Sequence, residues 1–222
     1  MKTEQGFLSE LNLDLAHPPT SPYKMQKVLD RSGESVLDIG CRDGAYVAFC
    51  RALGKRAVGL DLAPFPLPGS NLPLVHADAQ ALPFADHSFD TVLMFDLLEH
   101  VPDEELALRE AARVGQRNIL LSLPKPDDPQ IFNPWNGLTY RHYVDPEHQR
   151  YYTPDRIRSL AERLGYNVTS LEHWCPIYPA DVYIGAGTPR LLCRLVDRIM
   201  WTLARDRMCL LRNLFIEINL RG

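Results

Sequence analysis

No apolar run in this 222-residue chain reaches about 18 residues, the length a membrane-spanning helix needs. Cysteine is sparse and odd in number. Cys41, Cys50, Cys175, Cys193 and Cys209 stand apart, without the paired spacing of a zinc site or the even framework of a disulfide scaffold. That pattern fits a reducing, cytoplasmic compartment. Charge of one sign is nowhere concentrated: the formal net charge is −4 and like charges form no long run. The surface as a whole is therefore not expected to draw nucleic acid, and no nucleic-acid motif is visible. The first 14 residues mix Lys2, Glu4, Glu10 and Asp14 with leucines, unlike a signal or transit peptide.

What is present suffices for one ordinary core, with 45% hydrophobic and 23% charged residues. A proline-rich arm over 1–22 is expected to lead into a single domain over 23–222. The organising stretch is Val36-Leu37-Asp38-Ile39-Gly40-Cys41-Arg42-Asp43-Gly44-Ala45. An apolar run with an acid, a glycine turn and an apolar-periodic stretch read as strand, tight loop and helix. This is a nucleotide-type turn at the carboxyl edge of a parallel sheet. A dinucleotide turn needs a small residue where Arg42 stands, because backbone there approaches a pyrophosphate, and Asp38 would repel two phosphates. A positively charged ligand without phosphate fits better, and S-adenosylmethionine, with its ammonium and sulfonium, is one. Its carboxylate can be received by a helix N-terminus.

The stretch resembles motif I of the class I, Rossmann-like S-adenosylmethionine-dependent methyltransferases of small-molecule type, roughly acid-x-Gly-x-Gly-x-Gly, and departs from it at Arg42 and Ala45. With its bulk, Arg42 is expected to point away from the pocket or to pair with an acid of the lid. About 20 residues on, a buried strand, Arg56–Leu62, ends around Asp61, placed to accept both ribose hydroxyls. Four prolines between Ala63 and Pro73 predict an irregular crossover where family members usually have a helix. A third strand and its exit span 74–79, and Asp78-Ala79, followed by Leu82-Pro83-Phe84, Asp86 and Ser88-Phe89-Asp90, resembles the family segment that holds adenine. The resemblance thus implies cofactor contacts at Asp38, Gly40, Cys41, Gly44, Asp61, Leu62, Asp78, Ala79 and Phe95. A short helix over 23–31 corresponds to one that covers the cofactor in the family. Tyr23 and Lys24 would then meet the methionine carboxylate or, as the plainer expectation, form a solvated first turn.

The fourth strand, Asp90–Asp96, enters Leu97-Leu98-Glu99-His100-Val101-Pro102, which resembles the segment lining the reactive methyl. His100 there either packs against the cofactor or does acid–base work. A helix over 103–114 and a fifth strand over 118–123 follow. From 124 to 152 periodicity fails in a stretch rich in proline, aromatics and histidine, as in lids and acceptor pockets. His142 and His148, with His100 behind them, are the candidate catalytic groups. His142, Asp145, Glu147 and His148 do not share a helix face, so no metal is expected.

Thr153-Pro154 opens an amphipathic helix that Gly165 ends, and 167–174 is a sixth strand. The stretch 189–212 reads as helix with Arg190, Arg194, Arg198, Arg205 and Arg207 beside apolar residues, a face for solvent, anionic lipid or an acidic substrate. Leu214–Leu220 alternates like an edge or hairpin strand, and the family fold inserts it antiparallel between strands five and six. The expectation is an α/β protein with a Rossmann-like seven-stranded sheet, its last strand antiparallel and helices on both faces. It would transfer methyl from S-adenosylmethionine to a small or amphipathic acceptor. The rivals are a catalytically silent cofactor-binding partner protein and an NAD-dependent oxidoreductase.

Overall fold

The first strand and the turn after it set the frame in the computed structural model, which describes residues 21–64, 66, 69–124, 147–174 and 213–221. The arm over 1–20, most of the 124–152 stretch and the arginine-bearing 189–212 lie outside the described residues.

Helix α1 (Pro22–Arg31) precedes β1 (Ser35–Ile39), α2 (Ala45–Ala52), β2 (Arg56–Asp61) and β3 (Leu74–His76). Then come β4 (Phe89–Phe95), α3 (Glu104–Val114), β5 (Gly115–Leu123), α4 (Pro154–Arg163), β6 (Asn167–Trp174) and β7 (Asn213–Asn219). The strands form one sheet in the order β3-β2-β1-β4-β5-β7-β6, with β1 to β5 parallel and β7 antiparallel to both neighbours. No helix or strand interrupts the described part of the proline-rich crossover. Among the described residues, no helix is long and apolar enough to cross a membrane.

All five residues of β1 are buried, as expected of a central parallel strand covered on both faces. Alternation splits the core in two. Leu37 and Ile39 join Met94, Leu108 and Ile119 on the α3 face, whereas Val36 joins Val47, Phe49, Leu93 and Phe215 under α1 and α2. Gly59 in β2 is required by close approach: a Cβ there would lie 2.7 Å from both Cys41 Sγ and Leu74 Cδ2.

Boundaries have local causes. Strand β3 stops at His76 and its exit turns at Asp78, whose Oδ1 accepts from Gln80 N (2.8 Å). Strand β5 starts at Gly115 because Phe89 pairs with it. Helix α3 is capped by Asp103, whose Oδ1 accepts from Glu105 N and Leu106 N at 3.0 Å each, and α4 by Thr153, whose Oγ1 accepts from Arg156 N (3.2 Å). Strand β7 takes the place that the family resemblance implies, antiparallel between the fifth and sixth strands. In the sheet it is flanked by β5 and β6, and Asn213 to Ile216 are all buried.

Helix α1 docks on the last two strands by charge. Glu172 accepts from Tyr23 Oη (2.8 Å), Lys27 Nζ (2.5 Å) and Arg31 Nη2 (2.7 Å), while Arg31 Nη1 reaches Glu217 (2.6 Å). Burial works against the Glu172 carboxylate, but the Lys27 and Tyr23 hydrogen bonds prevail and hold it down at about 2.

Candidate functional site

At the carboxyl ends of the parallel strands the chain turns through three left-handed residues, Gly40 (φ +75°), Arg42 (φ +48°) and Gly44 (φ +80°). Gly40 N and Cys41 N both donate to Leu60 O (2.7 and 3.0 Å), which pins the loop to β2. Arg42 N donates to Asp61 Oδ2 (2.8 Å) and Ala63 N to Asp61 Oδ1 (2.9 Å), so the carboxylate is oriented while each oxygen keeps a lone pair for another donor. At the start of α2, Ala45 N is taken by Asp43 Oδ1 (3.1 Å).

Arg42 occupies a conformation that glycine adopts freely, and its side chain is exposed. Replacing it with glycine relieves about 1 kcal/mol of left-handed strain but adds a similar unfolded-state entropy. The Arg42→Gly protein should therefore unfold within a few degrees of the parent and keep its affinity for S-adenosylhomocysteine by calorimetry. Loss of binding by the folded variant would mean that the guanidinium holds the ligand.

A cavity of about 170 Å³ opens beside this loop. Of the expected cofactor residues, Gly40, Asp61, Leu62, Asp78 and Ala79 line it, with Leu97, His100, Val101 and Pro102 opposite. Asp38, Cys41, Gly44 and Phe95 are not in the lining. Asp38, Cys41 and Phe95 are buried beneath the turn, and Phe95 packs edge-on to Tyr46 at 5.0 Å. Burial, with Asp38 and Asp61 nearby, pushes the Cys41 thiol up to about 12 and leaves it protonated.

Asp38 is the electrostatic anomaly. It is 3% exposed, and its Oδ2 has no hydrogen-bond partner among the described residues. Burial first, then the Asp43 and Asp61 charges, push its pKa up to about 8 against the pull of Lys24. The site favours a proton or a cation beside this carboxylate.

Lys24 does not belong to a solvated first turn. It is 5% exposed, ion-paired with Asp96 Oδ2, and lies 5.4 Å from the Phe95 ring centre. Ser122 Oγ donates to the other Asp96 oxygen (2.7 Å). Asp96 follows β4 with φ +50°, a strained backbone of the sort that concentrates at functional sites. Sequence reasoning missed Asp96, reading it only as the end of a strand.

Two candidate catalytic histidines meet and one falls outside the described residues. His100, on the turn after β4, and His148 stand with ring centres 4.7 Å apart; His142 is not described. Residues 147–152 are strapped across that turn. Gln149 N donates to Glu99 O (2.8 Å) and Gln149 Nε2 to His100 O (2.9 Å). The Arg150 guanidinium donates to the carbonyls of Leu98 (3.0 Å), Val101 and Pro102 (2.7 Å).

A larger hollow of about 530 Å³ lies at the amino ends of the parallel strands, among His87, Arg109, Tyr166 and Arg221. Among the described residues its walls carry no carboxylate, and it lies away from the carboxyl ends of the parallel strands, so the smaller cavity is the better candidate.

Residues 19–171 match the family model described as a methyltransferase domain. The chain is 31% identical over 179 residues to the ubiquinone/menaquinone biosynthesis C-methyltransferase of Hahella chejuensis, covering 63% of this chain and 72% of that protein. It is 37% identical over 125 residues to a demethylmenaquinone methyltransferase of Staphylococcus aureus, covering 50% of this chain and 52% of the relative. A SAM dependent methyltransferase from Archaeoglobus fulgidus superposes with a TM-score of 0.61 at 19% identity, over 89% of this chain and 91% of that one, a likeness of fold.

Proposed function

Because this chain belongs to the S-adenosylmethionine-dependent methyltransferases, we propose that its acceptor is a small, mostly apolar ring bearing a hydroxyl, of the quinol kind. The similarity to two quinone-pathway methyltransferases carries this reading. The cavity supports it: among the described residues lining it there is no lysine or arginine to meet a phosphate or carboxylate, while Leu60, Leu62, Leu97 and Val101 offer apolar surface.

The residues present fit the cofactor. Asp38 offers a buried carboxylate oxygen without a partner among the described residues, suited to the ligand's ammonium. Asp61 is held ready for the ribose hydroxyls, and Asp78 with the Ala79 backbone for the adenine edge. When bound, S-adenosylmethionine supplies an electrophilic methyl carbon: the acceptor's electron pair forms the new bond as the carbon–sulfur bond breaks and its pair returns to sulfur. The leaving group is activated beforehand, so the protein contributes mainly alignment and water exclusion, effects worth about 7–11 kcal/mol in well-oriented systems. His100, at the cavity wall, and His148 beside it meet the acceptor hydroxyl.

Replacing Asp38 with asparagine separates folding from binding. A carboxyl whose folded pKa is raised from its ordinary 3.8 to about 8 stabilises the fold fully only below the lower value, and that stabilisation is lost as pH rises through the upper one. Each unit corresponds to about 1.4 kcal/mol. Without ligand, the Asp38→Asn protein should melt above the parent at pH 8, by a margin that shrinks toward pH 5. With S-adenosylmethionine the order should narrow or invert, because the cation loses its counter-charge. A margin independent of pH would contradict the placement of Asp38.

The acceptor reading is tested by incubating the protein with methyl-labelled S-adenosylmethionine and reduced demethylnaphthoquinols, with phosphoethanolamine and catechol as comparison acceptors. Label in the quinol supports the proposal; label only in a comparison acceptor replaces it.

A further inference from the structure

We propose that Glu99, His100 and His148 form a binding site for a divalent first-row cation, zinc foremost, at the rim of the cofactor cavity. One ligand atom from each of the three lies within 4.8 Å of the others. In a tetrahedral zinc site, with bonds of about 2.0–2.2 Å, ligand atoms stand roughly 3.4 Å apart. Side-chain adjustments of about an ångström therefore complete the set. Two imidazoles and a carboxylate suit zinc better than magnesium or calcium, which prefer oxygen ligands alone.

Three further observations point to an ion. Glu99 is 1% exposed, and a cation held by a carboxylate so far from bulk water is attracted to it strongly. His100 Nδ1 lies 3.2 Å from Glu147 O. A carbonyl only accepts, so Nδ1 carries the hydrogen and Nε2 is the nitrogen left to ligate. Zinc-bound histidines are characteristically oriented in this way, by a hydrogen bond from the second ring nitrogen. Finally, His148 comes from a distant segment held in place independently, by the Gln149 and Arg150 hydrogen bonds to the carbonyls of residues 98–102.

The combination differs from the one considered in the sequence, which grouped His142, Asp145, Glu147 and His148. Only His148 is common to both. Its partners come from the turn after β4, and folding alone brings them together.

Three protein ligands leave a zinc ion one open position. His100 belongs to the cavity wall, so that position is within reach of a bound acceptor. A zinc ion held by Glu99, His100 and His148 would supply Lewis-acid chemistry there, easing the loss of an acceptor hydroxyl's proton to solvent. This use of the ion rests on the quinol-type acceptor proposed above, whereas binding of the ion does not.

The experiment titrates the full-length, untagged, chelator-treated and thiol-reduced protein with cobalt(II), read by visible absorption, and with zinc(II), read by calorimetry. No acceptor is needed, so a wrong acceptor and a missing ion give different results. One equivalent should bind, with the intense visible bands of four- or five-coordinate cobalt and no sulfur-to-metal band in the near ultraviolet. His148→Gln and Glu99→Gln should each weaken binding roughly 100-fold or more, and the partly exposed His148 can be replaced with little effect on folding. Zinc should also slow amide exchange over 147–152. The proposal is overturned if the parent protein takes up no stoichiometric ion, if a sulfur band places the ion on cysteine, or if the folded His148→Gln protein binds as tightly as the parent.

Discussion

Replacement of Asp61 by alanine is expected to weaken S-adenosylhomocysteine binding at least tenfold, equivalent to about 1.4 kcal/mol. Hydrogen bonds to a charged acceptor contribute about 1.5–3 kcal/mol each, and the ribose offers two donors. The same carboxylate anchors Arg42 N and Ala63 N, so the alanine variant also frees the glycine loop on one side of the cavity. Asp61→Asn keeps one side-chain oxygen as an acceptor and should lose less. Calorimetric titration of both variants, with circular dichroism to confirm folding, reads the effect. Parent-like affinity in Asp61→Ala would remove Asp61 from the site.

Phe215→Ala is expected to cost about 3–5 kcal/mol and to lower the thermal midpoint by roughly 10 °C. Phe215 is fully buried in β7, edge-on to Tyr23 at 5.9 Å and 6.3 Å from the Phe95 ring centre. Lys27 Nζ and Arg31 Cζ lie 5.7 and 5.9 Å from its ring. The ring therefore supports α1 from below, and α1 carries Lys24 to Asp96 at the strand ends. Loosening it should reduce cofactor affinity along with stability. Scanning calorimetry measures the first effect; a shift of only one or two degrees would show that this face of β7 is not a core surface.

The parts that sequence made legible are those whose chemistry is local. Gly40 and Gly44 advertise a turn, Asp61 and Asp78 stand at strand ends that periodicity locates, and Asp103 and Thr153 announce helix starts. Each is decided within a few residues, by backbone conformation or by capping. What escaped depends on partners far along the chain. Lys24 reads as a helix-start lysine facing either solvent or the cofactor's carboxylate until Asp96 and Phe95 are brought beside it. Arg150 reads as one more surface arginine until its guanidinium meets three carbonyls after β4. His148 stands out in the sequence as a candidate catalytic group, but that it meets His100 is decided by folding alone. The alternation of residues 214–220 marks β7 as a strand, and the resemblance places it between the fifth and sixth, but the burial of Asn213 to Ile216 follows from sheet order and not from the strand's own residues.

Hydrogen exchange of the whole chain with and without S-adenosylhomocysteine tests most directly that the cofactor lies at the carboxyl ends of β1 to β4. Protection is expected in three separated loops, at Gly40–Ala45, Asp61–Ala63 and Asp78–Gln80, with little change around Arg109–Gln116 at the opposite end of the sheet. Protection confined to that opposite end, among His87, Arg109 and Tyr166, or none in the glycine loop at saturating ligand, would contradict it.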